Sequence, residues 1–125
     1  MISLPLPAAV SDWLAGSGLQ PLILAGRTLL PVVQGGMGVG VSASGLAGSV
    51  AALGAVGTLS SVDLRRHHPD LMEQTEHLDV KDPKSRALID SANLEALRRE
   101  IRQARARAQG PVSYTHLTLP TKRIV

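Results

Sequence analysis

The fold is decided by residues 31–40, PVVQGGMGVG. The β-branched start, residues 31–34, is typical of a short buried strand, and the glycines that follow predict a loop at the end of that strand. A strand that ends in glycines is a common start of an α/β unit. Whether a helix and a second strand follow it therefore decides whether the chain has an α/β fold.

A helix and a second strand follow the glycines. Ser42 or Ser44 offers an N-cap for a helix over residues 45–53, and Gly54 is well placed as the residue that ends it. Residues 55–60 are again short and apolar, which predicts a second strand. Strand, helix and strand in this order form a βαβ unit with a right-handed crossover, which predicts a parallel sheet.

The flanking segments complete the α/β pattern. Residues 1–30 read as a lead-in, with a short helix from Ser11 to Ala15 and a small hairpin that pairs 22–24 with 28–30. Residues 61–83 are polar and longer than a usual α/β loop, which favours a functional loop. Apolar residues then recur at helical spacing over 85–108, so a long helix is predicted there.

Composition limits the classes of function. The 125 residues contain no cysteine, which excludes disulfide scaffolds, thiolate metal sites and a cysteine nucleophile. The net charge is only +3, and Trp13 and Tyr114 are the only aromatic residues, so no nucleic-acid partner is expected. The arginines of the long helix alternate with the acidic residues Glu95 and Glu100, which favours a solvent-exposed face over a nucleic-acid-binding face. No leader peptide or membrane segment is evident, so we expect no membrane partner and a cytoplasmic location.

The glycines of the loop are the strongest functional signal. Glycine lets the backbone come within contact distance of a flat ligand, and the freed N–H and C=O groups can bind a ring edge. This suits a flavin or a nucleotide. A Rossmann-type dinucleotide module is one alternative, since Gly38-x-Gly40-x-x-Ala43 fits its fingerprint loosely and Asp63 follows about twenty residues on. Against it, nine residues separate the strand from the helix, whereas the fingerprint places its glycines in the tight turn that opens the helix.

Residues 31–42, with Leu46-Ala47 and residues 57–62 behind them, resemble the amino-terminal part of the nitronate monooxygenases, also called 2-nitropropane dioxygenases. The resemblance runs from about residue 20 to residue 111. It implies a flavoprotein oxidoreductase with FMN as cofactor and a TIM (β/α)₈ barrel, which oxidises alkyl nitronates with molecular oxygen. The FMN-dependent enoyl-acyl-carrier-protein reductases share the Gly-Gly-Met-Gly start and are the alternative.

The resemblance implies a cofactor site at Gly35, Gly36, Met37 and Gly38, against the flavin ring. Barrel active sites lie at the carboxyl ends of the strands, where this loop and residues 61–83 would both lie. The family's proton-abstracting histidine and phosphate-binding glycines belong to later loops, so no catalytic residue is assigned and we expect the chain itself to be inactive. No metal site is predicted either, although His67 or His68 could border the substrate mouth.

The carboxyl-terminal residues depart from the α/β pattern. Residues 31–111 fit the first βα units of a truncated barrel, whereas residues 112–125 share no period with them. Residues 112–121 resemble the translation of an adaptor used in transposase-based sequencing libraries. We therefore expect residues 112–125 to be a non-native tail that adds nothing to the fold; the alternative is a genuine amphipathic strand.

Overall fold

The computed structural model describes residues 8–24, 26–108 and the backbone of residues 115–118. Its elements, in chain order, are α1 (Ala8–Ser17), β1 (Leu22–Leu24), β2 (Arg27–Leu29), α2 (Ser44–Ala52), β3 (Gly57–Ser60), a 3-10 turn (Leu64–His67), α3 (Pro69–Thr75), α4 (Pro83–Arg107) and β4 (Thr115–Thr118). The fold is of mixed α and β class, as the sequence predicts. The complete (β/α)₈ barrel is not shown and stays a prediction.

The βαβ unit is present, but its first strand is shorter than predicted. Val33 forms a single parallel bridge with Val56, supported by hydrogen bonds of 3.0 Å from Gln34 N to Val56 O and from Val56 N to Val32 O. Pro31 has no N–H to donate and the glycines begin at residue 35, so few residues are left to extend the pairing. The prediction of a full strand over 31–34 is therefore corrected to a one-bridge segment.

α2 lies between the two paired segments and ends as the sequence predicts. Gly54 has φ +89°, the amide of Gly54 donates to Ala51 O, and the amide of Ala55 donates to Val50 O. These two bonds form a Schellman motif, in which glycine accepts the left-handed conformation without strain. The predicted N-cap is wrong, because the cap residue is Ala43 and no side chain of the cap closes the helix start.

The core lies where α2, β3 and α4 meet. All four residues of β3 are buried, and Leu59 packs with Ala47 and Ala104, all three fully buried. The close approach depends on a glycine, since a Cβ at Gly57 would lie only 2.0 Å from the carbonyl oxygen of Ala47. A second cluster joins the segments after β3 to α4, and it consists of Leu64, Leu71, Ala92, Ala96 and Leu97.

The amino-terminal elements follow the prediction with shifted bounds. β1 and β2 form the predicted antiparallel hairpin, with Leu22 opposite Leu29. α1 starts at Ala8 rather than at Ser11 and continues to Ser17, whose hydroxyl donates to Leu14 O at 2.7 Å. Local side-chain to backbone bonds of this kind are common at helix ends.

Residues 61–83 are more ordered than the predicted long loop. They contain the 3-10 turn and α3, and α4 begins at Pro83 with Asp82 as a true N-cap, its carboxylate accepting from Ser85 N at 3.0 Å. The loop prediction is corrected because Leu64 and Leu71 are buried against α4, which fixes two short helical turns in an otherwise polar segment.

The backbone of β4 pairs with β3 in parallel, with Gly57 opposite Thr115 and Ser60 opposite Thr118. Residues 109–114 and 119–125, which include the predicted helix stop at 110–111 and most of the predicted tail, lie outside the described residues. The pairing corresponds to the alternative of an amphipathic strand, while the contribution of the tail to stability stays a prediction.

Candidate functional site

The glycine loop, residues 35–42, lies at the carboxyl end of the bridged segment and is closed by Ser42. The Ser42 hydroxyl accepts from Met37 N and from Gln34 Nε2, both at 2.8 Å, and lies 3.2 Å from Gly35 O. The Ser42 amide donates to Met37 O at 2.9 Å. Because Ser42 is fully buried, these bonds are shielded from water and fix the two ends of the loop together.

Gln34 ties the loop to β3. Its amide nitrogen donates to Gly35 O at 2.7 Å, and its amide oxygen accepts from Thr58 N at 3.0 Å. Ser60 N also donates to Ser42 O at 2.9 Å. The loop is therefore anchored on the strand that follows α2, and it has a defined shape despite its glycines.

The four predicted cofactor residues are adjacent and face outward. Gly35, Gly36 and Gly38 are exposed, and Met37 is 47% exposed. A Cβ built on Gly35 meets no heavy atom within 4 Å, so this backbone is open to a ligand. Gly35, Gly36, Met37 and Gly38 thus form one accessible stretch of the loop.

The loop also carries an apolar rim. Met37, Val39 and Val41 are all exposed, and Val62 from the segment after β3 lies beside Gly38, whose built Cβ would be 3.1 Å from Val62 Cβ. Exposed apolar side chains grouped at one edge are typical of ligand or partner sites. The loop therefore combines an exposed glycine backbone with a border of exposed apolar side chains.

Glu100, on α4, holds the start of α2. Its carboxylate accepts from Ser44 N at 2.8 Å and contacts His68 Nε2 at 3.1 Å, while only 5% of Glu100 is exposed. A carboxylate at a helix amino terminus satisfies a free N–H and interacts favourably with the helix dipole. Glu100 therefore does the capping that the sequence assigns to a serine, and it joins α2, α4 and the segment after β3.

His67 closes the loop from the other side. Its Nε2 lies 3.2 Å from Val39 O, and a Cβ at Gly40 would be 1.6 Å from the same ring nitrogen. Gly40 has φ +71°, so it is required both for its backbone conformation and for the space that the imidazole occupies. The structure thus places His67 at the glycine loop, while the neighbouring His68 is buried against Glu100.

Asp63, also after β3, is the centre of a polar cluster. Its carboxylate accepts from Arg65 Nε at 2.8 Å, from Asn93 Nδ2 at 3.2 Å, and from Arg66 Nε. Burial alone would raise the pKa of Asp63, but the hydrogen bonds from Arg66, Arg65 and Asn93 outweigh it and hold the pKa below its usual range. The Asp63 carboxylate is thus already hydrogen-bonded to side chains of its own chain.

These contacts disfavour the dinucleotide alternative. In a Rossmann module the start of the helix binds pyrophosphate and the acidic residue binds a ribose hydroxyl. In this chain the Glu100 carboxylate occupies the α2 start, and Asp63 already accepts from three donors. A second anion at the α2 start would be repelled by Glu100.

The sequence could not identify Gln34, Glu100 and His68 as supports of the site. Gln34 is one residue outside the glycine motif, and Glu100 is 56 positions from the serine that it caps. The assignment of Glu100 to a solvent-exposed face is wrong, because Glu100 is only 5% exposed and its carboxylate is bonded to Ser44 N. Its position between Leu97 and Ala104, at helical spacing, is the one sequence signal for this burial. In the part of the chain that the structure describes, no three His, Asp or Glu side chains form a metal-binding group, and none of the described helices is long and apolar enough to cross a membrane.

Comparison with known proteins finds no matching family model, no similar curated protein and no similar solved structure.

Proposed function

We propose that this chain supplies the flavin-facing loop of an FMN-dependent oxidoreductase that oxidises alkyl nitronates with molecular oxygen. The observation that carries the proposal is the glycine loop: an exposed, Cβ-free backbone with an apolar rim, held in one shape by Ser42 and Gln34. It lies at the carboxyl end of a parallel βαβ unit, the edge at which α/β and barrel proteins bind their ligands.

The residues fit the isoalloxazine ring of FMN in three respects. The backbone at Gly35 has open space where a side chain would lie. Gly35 O, Met37 N and Met37 O are bonded within the loop, so the peptide groups that meet the polar edge of the ring would be those of Gly36 and Gly38. Met37 adds a polarisable thioether that packs well on an aromatic face. When bound, FMN supplies the redox chemistry between the nitronate and oxygen, and the chain holds and orients it.

The chain's own residues have a positioning role. Ser42, Gln34 and Glu100 fix the loop relative to β3 and α2, and His67 fixes its far side. A site held in this way is preorganised, so little ordering entropy opposes ligand binding. No catalytic residue is assigned. The enoyl-acyl-carrier-protein reductase alternative uses the same flavin loop, so the glycine geometry supports both activities equally and the nitronate preference comes from the resemblance.

FMN titration of the purified 125-residue chain, followed by flavin fluorescence and by amide NMR, tests the proposal. Because the chain offers contacts to the flavin ring but no site for the FMN phosphate, we predict weak binding, with Kd on the order of 1 mM. Excess inorganic phosphate should not compete. Gly35→Leu should weaken FMN binding by about tenfold or more, because its side chain would occupy the open space on the loop.

Gly45→Leu is the matched control. Gly45 also has no heavy atom within 4 Å of a built Cβ, but it lies in the first turn of α2 outside the glycine loop. It should leave FMN binding unchanged. Equal FMN affinity of the two variants, or the absence of any FMN binding at millimolar concentration, would contradict the proposed function.

A further inference from the structure

A cleft of about 500 Å³ opens between the segment after β3 and the first half of α4. We name it the α4 cleft. Its volume lies in the range of small-molecule sites, roughly 300–1,000 Å³. No residue of the glycine loop, 35–42, lines it, so the proposed flavin contact leaves the cleft unused. Its apolar lining consists of Val62, Val80, Ile89, Leu94 and Leu97.

The walls of the α4 cleft are apolar side chains that water reaches. Val62 is 38% exposed, Val80 58% and Leu94 48%, whereas Ile89 and Leu97 are buried and form the floor. Three half-exposed aliphatic side chains over an aliphatic floor offer surface that a hydrocarbon chain would cover favourably.

At one end of the cleft, around Asp63, the polar side chains form hydrogen bonds and ion pairs with one another. Asp63 binds Arg65, Arg66 and Asn93, so its charge is compensated, and the two guanidinium groups leave that corner with one excess positive charge. Asp90, on α4, is an exposed carboxylate that balances the charge of the lining as a whole. Because these four charges cancel, the cleft suits an uncharged alkyl chain better than a polyanion.

Val62 joins the α4 cleft to the glycine loop. It lines the cleft, and its Cβ lies 3.1 Å from the position that a Cβ on Gly38 of the loop would occupy. A molecule whose reacting head lies at the loop can therefore extend its chain past Val62 into the cleft.

We propose that the α4 cleft binds the alkyl chain of the substrate, so that the preferred substrates are nitronates with a linear, extended alkyl chain rather than the shortest ones. This inference rests on the proposed function for the identity of the head group. The cleft itself requires only the aliphatic chain, since the anionic head lies at the glycine loop.

Saturated carboxylates test the inference on the full chain, because they share the planar two-oxygen anion of a nitronate and undergo no reaction. Acetate, butanoate, hexanoate and octanoate are titrated and amide NMR shifts are followed. The affinity should rise about two- to fourfold for each added methylene group, the increment expected for burial of hydrocarbon. An affinity that does not change with chain length would overturn the inference.

Leu94→Asp and Leu88→Asp form a matched pair. Both leucines are exposed on α4, by 48% and 57%, but only Leu94 lines the α4 cleft. Both variants should fold, as checked by circular dichroism. Leu94→Asp should reduce octanoate affinity by about tenfold or more, whereas Leu88→Asp should leave it unchanged. Equal octanoate affinity in the two variants would overturn the inference.

FMN titration of the same variants separates the two proposals. Leu94→Asp should leave FMN binding at its wild-type level, because the glycine loop is intact. FMN binding without chain-length-dependent carboxylate binding would overturn only the cleft inference. Carboxylate binding without FMN binding would overturn the proposed function and leave an aliphatic-anion site in the α4 cleft.

Discussion

Gly57→Ala should strongly destabilise the fold, because it forces α2 away from β3. The added Cβ would lie 2.0 Å from Ala47 O, where ordinary contacts begin at 3.4 Å, and the obstacle is backbone rather than a flexible side chain. Ala47 and Leu59 are fully buried in the same interface, so neither element has free volume to absorb the shift. We expect the free energy of unfolding to fall by about 3 kcal/mol, the upper end of measured overpacking costs.

Urea unfolding followed by far-ultraviolet circular dichroism measures this change. Gly45→Ala is the control, since a Cβ there meets nothing within 4 Å and alanine favours a helix. It should be neutral or stabilising by up to about 1 kcal/mol. A Gly57→Ala variant as stable as Gly45→Ala would refute the close packing of α2 on β3 and with it the βαβ arrangement.

Three further predictions concern other parts of the chain. Glu100→Ala should lower the free energy of unfolding by about 3 kcal/mol, since it removes the partner of both His68 and Ser44 N; a loss no larger than that of an exposed glutamate would contradict the cap. The pKa of Asp63 is lower in the folded chain than its usual value, so its contribution to stability is complete above about pH 4 and is lost as the pH falls through the folded-state pKa. Asp63→Asn should therefore flatten the acid limb of the stability profile, and an unchanged limb would show that the cluster contributes nothing. Deletion of residues 112–125 should change stability by less than about 1 kcal/mol, and a larger loss would make the pairing of β4 with β3 part of the native sheet.

Segments with strong local signals could be predicted from the sequence. The period of apolar residues over 85–108 predicted α4 to within two residues of its ends. Gly54 predicted the end of α2, because a left-handed residue at that position is a local requirement. The hairpin of β1 and β2 followed from its turn. In each case the information lies within a few residues of the element that it determines.

Elements fixed by tertiary contacts could not be predicted. α3 is only two turns long and its two large apolar side chains, Leu71 and Met72, are adjacent in the chain, so its burial against α4 gives no helical period in the sequence. Glu100 caps α2, in place of Ser42 or Ser44, because α4 lies against the start of α2. Ser42 instead forms hydrogen bonds within the glycine loop. The position of the candidate loop was therefore predictable, but its supporting residues were not.

Amide NMR of the chain during FMN titration reports which backbone groups the flavin approaches. We predict progressive shifts for the amides of Gly35, Gly36, Met37 and Gly38. The amides of Gly45 and Gly48 on α2 should not move. Shifts centred on α2, or on the α4 cleft without the glycine loop, would contradict the account.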